Sequence, residues 1–393
     1  MKIPSLDLQA ELREIRSDLF KRTRRVLTSG RYILGTEVSQ FERSFADFVG
    51  AKYAVGVASG SDALLLALMA FGVKQGDEVI TTPFSFIATA TAIARLGAKP
   101  VFVDIEPGTF NLDPALIRKK ITRRTRAIIP VHLYGNPCRI DEILKIAKRF
   151  GLFVVEDCAQ ACGAVFKGKQ VGSFGDFGAF SFYPTKTIGA AGDGGALTTN
   201  NKKLFEKIKS LHLHGEASHD HSARSYHHPL IGINSRLDEI QAAVLNVKLK
   251  YLKRWNEKRR QAAARYDRLF TSMKKGDRQR SSRRRRQYFL PVPFFPIETT
   301  SGRSVYQQYV IRAPKRDALL HFLKRQGIAA AVYYPLPLHL QPCFKSLGYR
   351  KGDFPKAEKA SQQVLTLPLY PQIQAADQKY VIRVLTSFLK SGR

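Results

Sequence analysis

The chain has 393 residues, of which 44% are hydrophobic and 10% aromatic, which is enough for a large core and excludes a mainly disordered chain. No apolar run approaches the roughly 20 residues that a membrane-spanning helix needs. The first residues lack the apolar stretch of a secretory signal, and four cysteines in so long a chain do not make a disulfide framework. The sequence therefore predicts a cytoplasmic protein of two packed regions with no membrane partner.

Charge is the unusual feature of the composition. Sixty-four Lys and Arg side chains against 32 Asp and Glu give a formal net charge of +32. Such a field attracts polyanions, whether nucleic acid, anionic lipid or phosphate-bearing metabolites. The densest basic stretch, 274–286, holds little that could enter a core, so we interpret it as a solvated loop or insertion, with a polyanion-binding site as the alternative. A nucleic-acid partner is not expected, because no recognition module accompanies the basic runs.

The first half of the chain alternates predicted strands and helices. Residues 1–50 have a helical pattern that is interrupted at 29–35. Beyond them we predict strands at 53–58, 79–82, 100–104, 127–131, 152–156, 178–182 and 195–199, with helices at 62–71, 88–96 and 141–150. Strands separated by helices of about ten residues imply parallel pairing through crossover helices. The pattern therefore predicts an α/β fold with a sheet over roughly 50–200.

After residue 200 the pattern changes. The elements predicted there are one long helix over 237–270, a strand at 306–311, a helix at 316–326 and a strand at 329–333. The last three form a smaller α+β unit beyond the basic segment. We therefore predict a large domain over 1–250, with the helical segment at its N-terminus, and a small C-terminal domain over 251–393 that includes the basic loop.

One lysine is a candidate for chemistry. Lys186 follows a strand of small and aromatic residues and precedes the glycine-rich turn 189–195, so uncharged and tightly turning sequence lies on both sides of it. A lysine in such surroundings loses part of its preference for the charged form, and its amine can then form a Schiff base. By itself, a lysine that snorkels at a strand end explains the pattern equally well.

An acid accompanies this lysine. Asp157 ends a nearly all-apolar strand, and the carboxyl end of a parallel strand is where such sheets bind ligands. A Schiff-base lysine paired with an acid is typical of pyridoxal phosphate chemistry, in which the acid keeps the pyridine nitrogen protonated so that the ring accepts electrons. We predict that Asp157 is this acid and that Gln160 packs beside the 3-hydroxyl group of the ring.

A phosphate cradle is predicted where the first strand of the sheet meets its helix. Gly60 and Ser61 would lie at the helix N-terminus, where backbone N–H groups bind anions, although helix capping explains the same residues. Ser181, on the strand before Lys186, can point the same way. Phe86 is placed to stack on the cofactor ring, and its alternative interpretation is a plain core aromatic.

Nine motifs occur in order through nearly the whole chain, at 29–35, 58–64, 76–79, 130–135, 155–160, 180–186, 192–195, 232–238 and 334–339. Together they resemble the DegT/StrS family of pyridoxal-phosphate-dependent nucleotide-sugar aminotransferases. The resemblance implies the aspartate-aminotransferase fold, fold type I, with a mostly parallel seven-stranded central sheet and a smaller C-terminal α+β domain. The basic segment 274–286 matches nothing in the family pattern.

The resemblance also implies roles for single residues. It makes Lys186 the lysine that binds the cofactor and moves protons, Asp157 the partner of the pyridine nitrogen, and Phe86 the stacking ring. It makes phosphate ligands of Gly60, Ser61 and Ser181. In the family, the asparagine of the Asn-Ser-Arg-Leu-Asp motif reaches the phosphate of the neighbouring subunit, so Asn234 implies a homodimer with shared active sites.

The segments 226–228, 304–309 and 334–338 resemble most the branch of the family that aminates UDP-linked 3-keto sugars, including the uronates. That branch implies a substrate site lined by Gly30, Tyr32, Thr185, Arg236, Tyr333 and Tyr334, with Tyr333 where we expect a histidine. The implied reaction is transfer of the amino group of glutamate to a keto group, at C3, for surface polysaccharide or lipid A-type sugars. The alternative substrate is a dTDP- or GDP-linked 3- or 4-keto-6-deoxy sugar.

Three other interpretations of the sequence are less favoured. A sugar 3-dehydratase on the same scaffold has histidine in place of the Schiff-base lysine, so Lys186 favours an aminotransferase. A DNA-binding regulator fits the charge and the family's association with regulation, but a complete cofactor set would then lack a purpose. A metal is not expected, since the histidines lie in a polar loop without the ligand spacing of a helix, at 219, 221, 227 and 228.

Overall fold

The computed structural model describes residues 2–217, 226–281, 298–313 and 315–390. Two helices precede the sheet, α1 (Leu8–Ser29) and α2 (Thr36–Val49), and the predicted interruption at 29–35 separates them. Asp7 caps α1 by accepting a backbone N–H bond, and Gly30 ends it with a φ of 67°. This left-handed conformation suits glycine, because a side chain there would be strained.

The central sheet has seven strands, as the resemblance implied. In chain order the strands of the first half are β1 (Tyr53–Val57), β2 (Glu78–Thr81), β3 (Lys99–Phe102), β4 (Thr125–Ile128), β5 (Phe153–Asp157), the short pair β6 (Val165–Phe166) and β7 (Lys169–Gln170), β8 (Phe177–Ser181) and β9 (Gly195–Thr199). The sheet has the order β1-β9-β8-β5-β4-β2-β3. Only β9 runs antiparallel to its neighbours, so the mostly parallel sheet predicted over 50–200 is confirmed.

Helices connect the strands and cover the sheet. They are α3 (Gly60–Ala70), α4 (Ala88–Ala94), α5 (Pro114–Ile117), α6 (Ile140–Phe150) and α7 (Lys202–Leu211). Helix α3 is buried on nearly all sides, from Ala63 to Leu68, which fits its purely apolar sequence. Its N-terminus is therefore fixed firmly against the sheet.

The long helix extends further than the sequence predicts. Helix α8 spans Glu239–Ser281, so the loop predicted to begin at residue 274 is wrong for 274–281, and residues 282–286 lie outside the described residues. Lysine and arginine are good helix formers, and a run of them can continue a helix whose face is solvated. Charge density alone therefore did not mark the end of the helix.

The C-terminal region pairs differently from the prediction. Its elements are β10 (Gly302–Arg303), β11 (Tyr309–Arg312), α9 (Arg316–Arg325), α10 (Pro355–Gln363), β12 (Val364–Leu367) and α11 (Ala375–Lys390). The strand predicted at 329–333 is wrong, because that segment makes one isolated bridge, from Ala331 to Thr366. The partner of β11 is β12, which lies much further along the chain.

Two cores lie along α8. Its first half packs Ala242 and Leu245 beneath the sheet, and its second half packs Tyr266 and Phe270 against β11, β12, α9 and α11. The division into domains at residue 250 stays a prediction. None of the described helices combines the length and hydropathy needed to cross a bilayer.

Candidate active site

The two residues on which the chemistry was predicted to depend lie at neighbouring strand ends. Asp157 is the last residue of β5, and β8 runs parallel beside it before leading into the loop that carries Lys186. Burial lowers the pKa of the Lys186 amine, and the charge of Asp157 opposes that shift. The structure thus brings the predicted lysine and acid into electrostatic contact.

Asp157 is 5% exposed, and both of its carboxylate oxygens accept hydrogen bonds. The Thr89 hydroxyl donates to Oδ2 at 2.8 Å and the backbone N–H of Ala159 donates to Oδ1 at 3.2 Å. Burial raises the pKa of Asp157, while these donors and the charges of Lys186 and His132 hold it down. The sequence pattern did not reveal Thr89, because a threonine in a short helix has no distinguishing signal.

Gln160 joins the strand end to the C-terminal region. Its Oε1 accepts the backbone N–H of Tyr134 at 2.7 Å, and its Nε2 donates to the Tyr334 hydroxyl at 2.9 Å. The Tyr134 hydroxyl in turn donates to the Tyr333 carbonyl. Burial raises the pKa of Tyr334, so its hydroxyl stays protonated. Predicted site residues from two distant parts of the sequence, Gln160 and the pair Tyr333 and Tyr334, therefore meet here.

The residues of the predicted phosphate cradle lie at the N-terminus of α3 and on the neighbouring strand β8. Ser59 caps the helix by accepting the N–H of Asp62 at 3.1 Å. A Cβ atom at Gly60 would lie 2.6 Å from the Cβ of Ser181, and one at Gly195 would lie 2.4 Å from the carbonyl carbon of Ser59. Only glycine permits this approach. The α3 N-terminus and Ser181 are thus adjacent, in the arrangement that anion binding requires.

Phe86 lies just before α4 with 54% of its surface exposed. Its ring centroid is 6.3 Å from that of Tyr334, which Gln160 holds. The alternative interpretation of Phe86 as a plain core aromatic is therefore wrong. Its ring faces open space beside the strand ends, where a planar ligand could stack on it.

The segment that carries Asn234 approaches the cradle through Ser235. The buried Ser235 hydroxyl donates to Asp62 at 2.8 Å and accepts the N–H of Ala58 at 3.1 Å. Its neighbours are less enclosed, since Asn234 is exposed and Arg236 is partly exposed. The structure therefore places Ser235, rather than Asn234, against the cradle of its own subunit.

The other predicted substrate residues are largely exposed. Tyr32 is 47% exposed and Tyr333 is 37% exposed. A Cβ at Gly30 would meet nothing within 4 Å, and the Thr185 carbonyl accepts a bond from Gln307 at 2.8 Å. The backbone N–H of Glu239 donates to the Tyr32 carbonyl at 2.9 Å and an isolated bridge joins residues 33 and 238, so the Tyr32 loop lies beside the start of α8.

One buried cluster has distances compatible with a metal, and it consists of His132, Glu156 and Cys158 within the described part of the chain. The Nε2 of His132 lies 3.1 Å from Glu156, and its Nδ1 accepts the N–H of Cys138 at 3.0 Å. Glu156 also accepts three backbone N–H bonds. His132 and Glu156 are thus already engaged in hydrogen bonds within the protein. The histidines at 219 and 221 lie outside the described residues.

The fold and the site define a class of enzyme. A mostly parallel sheet that presents a buried acid, a lysine of lowered pKa and an anion-binding helix end is typical of the aminotransferases of fold type I. Residues 13–386 match the model of the DegT/DnrJ/EryC1/StrS aminotransferase family, and the chain belongs to that family.

The relatives span nearly the full chain. A protein of Geobacillus stearothermophilus named pleiotropic regulatory protein is 47% identical, over 99% of each chain. The UDP-2-acetamido-2-deoxy-3-oxo-D-glucuronate aminotransferase of Pseudomonas aeruginosa is 41% identical, over 98% of this chain and all of its own. The dTDP-3-amino-3,4,6-trideoxy-alpha-D-glucose transaminase of Streptomyces venezuelae is 40% identical, over 97% and 94%.

Solved structures agree with this assignment. The crystal structure of S. venezuelae DesV has a TM-score of 0.90 at 39% identity, covering 99% of this chain and 98% of its own. The NtdA structure of Bacillus subtilis, solved with bound pyridoxamine phosphate, has a TM-score of 0.85 at 31% identity, covering 96% and 82%. The protein is a pyridoxal-phosphate-dependent aminotransferase. Its buried acid, its lysine and the helix N-terminus that Gly60 and Gly195 allow to pack closely fit that cofactor.

Proposed function

We propose that the enzyme transfers the amino group of glutamate to the C3 keto group of a UDP-linked sugar, such as a UDP-2-acetamido-3-oxo sugar or its uronate. Action on a nucleotide-linked keto sugar follows from the family and its relatives. The name of the P. aeruginosa relative supports the UDP 3-oxo uronate. A dTDP-linked substrate is the alternative, because relatives of almost equal identity are named for dTDP sugars; a GDP-linked 3- or 4-keto-6-deoxy sugar is a further one.

The single observation that carries the proposed mechanism is the juxtaposition of Lys186 with Asp157. When bound, pyridoxal phosphate supplies an electron sink for the substrate carbon. Asp157 would hold its ring nitrogen, and the cradle of Gly60, Ser61 and Ser181 would hold its phosphate. Because burial lowers the pKa of Lys186, its amine gives up a proton more readily than that of an exposed lysine. Lys186 would thus move the proton at the substrate carbon in both halves of the reaction.

We propose a homodimer in which Asn234 completes the partner's site. Asn234 is exposed while its neighbour Ser235 is buried against its own cradle. Two large hydrophobic side chains of the same segment are also exposed, Tyr226 at 90% and Ile231 at 92%. Exposed apolar side chains of this size favour an interface. A second subunit would cover them and bring Asn234 to a phosphate.

The substrate side of the proposed site is basic and aromatic. Arg236 lies on the segment next to the Tyr32 loop, and an arginine there could pair with the diphosphate or the carboxylate of a nucleotide sugar. Phe86, Tyr333 and Tyr334 lie close together, with ring centroids 6.3 Å apart for Phe86 and Tyr334 and 5.8 Å apart for Tyr333 and Tyr334. A role in surface polysaccharide or lipid A-type sugar synthesis and a cytoplasmic location stay predictions.

Regulation is the second candidate function, favoured by the name of the Geobacillus relative and by the net charge of +32. The site argues against a purely regulatory role, since a buried acid beside a lysine of lowered pKa has no purpose in DNA binding. A binding assay with duplex DNA at several salt concentrations checks it. Sequence preference that survives physiological salt would support regulation.

The proposed reaction is tested in two stages with the purified holoenzyme. Glutamate should bleach the near-ultraviolet or visible absorbance of the bound cofactor, and addition of a keto sugar should restore it. A panel of UDP-, dTDP- and GDP-linked keto sugars then identifies the acceptor by mass spectrometry of the aminated product. Lys186→Ala is the control. Restoration by dTDP or GDP sugars alone would refute the UDP assignment, and no bleaching by glutamate would refute the amino donor.

A further inference from the structure

Thr89 is placed behind the predicted cofactor acid. It lies in α4, is fully buried, and its hydroxyl donates to Oδ2 of Asp157 at 2.8 Å. An ionised carboxylate only accepts hydrogen bonds, so the single proton of Thr89 is committed to Asp157. The N–H of Ala159 occupies the other oxygen at 3.2 Å. Each oxygen has one donor from its own chain and keeps a lone pair for a ligand.

Ser85 donates a second hydrogen bond to the Thr89 hydroxyl. Its side-chain oxygen lies 3.1 Å from that of Thr89, and Ser85 is 3% exposed. Since the Thr89 proton points to Asp157, Ser85 must donate to Thr89. Donation into the Thr89 oxygen polarises its O–H group, which strengthens the bond to the carboxylate. The two hydroxyls therefore form a directed chain that ends on Asp157.

The same turn of backbone carries Phe86. The N–H of Thr89 donates to the Phe86 carbonyl at 3.3 Å, so the stacking ring and the hydroxyl behind the acid belong to one turn. Phe86 is exposed on the open side and Thr89 is enclosed on the other. Movement of this turn would shift the Phe86 ring and the hydrogen bond to Asp157 together.

We propose that Thr89, which accepts a hydrogen bond from Ser85, is a positioning residue that orients the Asp157 carboxylate toward the ring nitrogen of the cofactor. This inference rests on the proposed role of Asp157. The hydroxyl stops the carboxylate from rotating and supplies a donor that favours its charged form. The charged, oriented carboxylate then keeps the ring nitrogen protonated.

The test compares Thr89→Val, which removes the hydroxyl at nearly constant volume, with Thr89→Ser, which keeps it. We expect Thr89→Val to slow amination of the bound cofactor by glutamate roughly 10- to 100-fold, the value of a hydrogen bond to a charged group. The pH at which the bound cofactor changes absorbance should shift in Thr89→Val and return toward the original value in Thr89→Ser, because the hydroxyl affects both the orientation and the charge of Asp157. Titration of the apoenzyme with pyridoxal phosphate should show weaker binding, and the KM for the keto sugar should stay constant.

Controls separate positioning from packing. Thr91→Val removes a hydroxyl of the same helix that donates, within the described residues, to the Ala88 carbonyl at 3.3 Å, and it should change none of these readouts. Ser85→Ala should give a smaller defect than Thr89→Val, and Thr89→Ser should restore most of the rate. Equal defects in Thr89→Val and Thr89→Ser, with a lower apoenzyme Tm, would show a packing role and overturn the inference.

Asp157→Asn separates the inference from the proposed function. If Asp157→Asn is inactive while Thr89→Val matches the unmodified protein in rate, cofactor affinity and pH profile, Thr89 has no positioning role and the proposed function stands. If Asp157→Asn reacts with glutamate at the normal rate, the role of Asp157 is wrong and the inference is overturned with it.

Discussion

The cofactor side and the substrate side of the proposed site are built in opposite ways. On the cofactor side, Asp157 is 5% exposed and Gln160 is 6% exposed, and both are held by hydrogen bonds within the chain. On the substrate side, Tyr32 is 47% exposed and Tyr333 is 37% exposed. The acid and Gln160 are thus held within one chain, whereas the predicted substrate residues lie at the surface.

The difference follows from what each side must do. A resident cofactor is bound once, so its site can be rigid and buried at strand ends that the sheet fixes. A nucleotide sugar must enter and leave at every turnover, so its site consists of loops and exposed rings. We therefore expect substitutions on the cofactor side to abolish the reaction. The effect of substitutions elsewhere should depend on the nucleotide sugar or on a second subunit.

The largest effect is expected at Lys186. Lys186→Ala removes the amine that would attach the cofactor and move the proton, so turnover should fall by about four orders of magnitude or more. Cofactor should still bind through the cradle and Asp157. The measurements are steady-state activity and the absorbance of the protein loaded with pyridoxal phosphate. Substantial multiple-turnover activity in Lys186→Ala would move the covalent lysine elsewhere.

The cradle should tolerate no side chain at Gly60. A Cβ there would lie 2.6 Å from the Cβ of Ser181 and 3.0 Å from its Cα, so the backbone would have to move. We expect Gly60→Ala to raise the Kd for pyridoxal phosphate about tenfold or more, since the N–H groups of the helix end lose their alignment. The measurement is a fluorescence titration of the apoenzyme.

Gly192→Ala is the matched control for the cradle. A Cβ at Gly192 would meet only the end of the Gln241 side chain, at 3.1 Å, and that side chain can move aside. Its affinity for the cofactor should stay within about twofold of the unmodified protein. Equal weakening in both variants would mean that the tight approach at Gly60 has no special part in phosphate binding.

Mixed dimers test whether two subunits share each site. Lys186→Ala and the double variant Asn234→Ala/Arg236→Ala should each be inactive alone. If Asn234 serves the partner's site, a mixed dimer has one site with both defects and one with none, and about half of the normal activity per dimer should return. Subunit exchange is verified by mass spectrometry of tagged chains. Absence of recovery after proven exchange would put Asn234 and Lys186 in one subunit's site.

The smallest effect is expected at Glu42, which is hydrogen-bonded to β1. Glu42 accepts the N–H of Gly56 in β1 at 2.8 Å, and burial raises its pKa from 4.5 to about 7, with the nearby charge of Glu239 adding to the rise and Lys209 and Arg43 opposing it. The folded state thus retains a proton that the unfolded chain loses above about 4.5. This contribution to stability is present below pH 4.5, falls as pH rises and is lost above about 7.

Glu42→Gln should remove that part of the pH dependence. Between pH 5 and 8 the free energy of unfolding of the original protein should fall by about 2 kcal/mol more than that of Glu42→Gln. Urea unfolding of both apoproteins at the two pH values measures the difference. Parallel pH profiles would show that Glu42 is ionised at the same pH in the folded and unfolded states.

Prediction from the sequence succeeded where the pattern was local and failed where it was not. The β9 strand at 195–199 matches its predicted bounds, because short apolar runs between turn residues identify strands. The strand at 329–333 was wrong because β11 found its partner at 364–367, and pairing across such a separation leaves no local mark. The end of α8 was misjudged because the basic residues that suggested a loop are also good helix formers.

The sequence by itself determined the class of chemistry. A lysine between a buried strand and a glycine turn, and an acid at the end of an apolar strand, are local signals that depend only on residue order. Only the tertiary structure decided which groups surround them. Thr89 reached Asp157, and Gln160 reached Tyr334, because strand ends and helices from distant parts of the chain converge at one edge of the sheet. Hydrogen bonds join residues that are close in space, and the packing of helices and strands decides which residues those are.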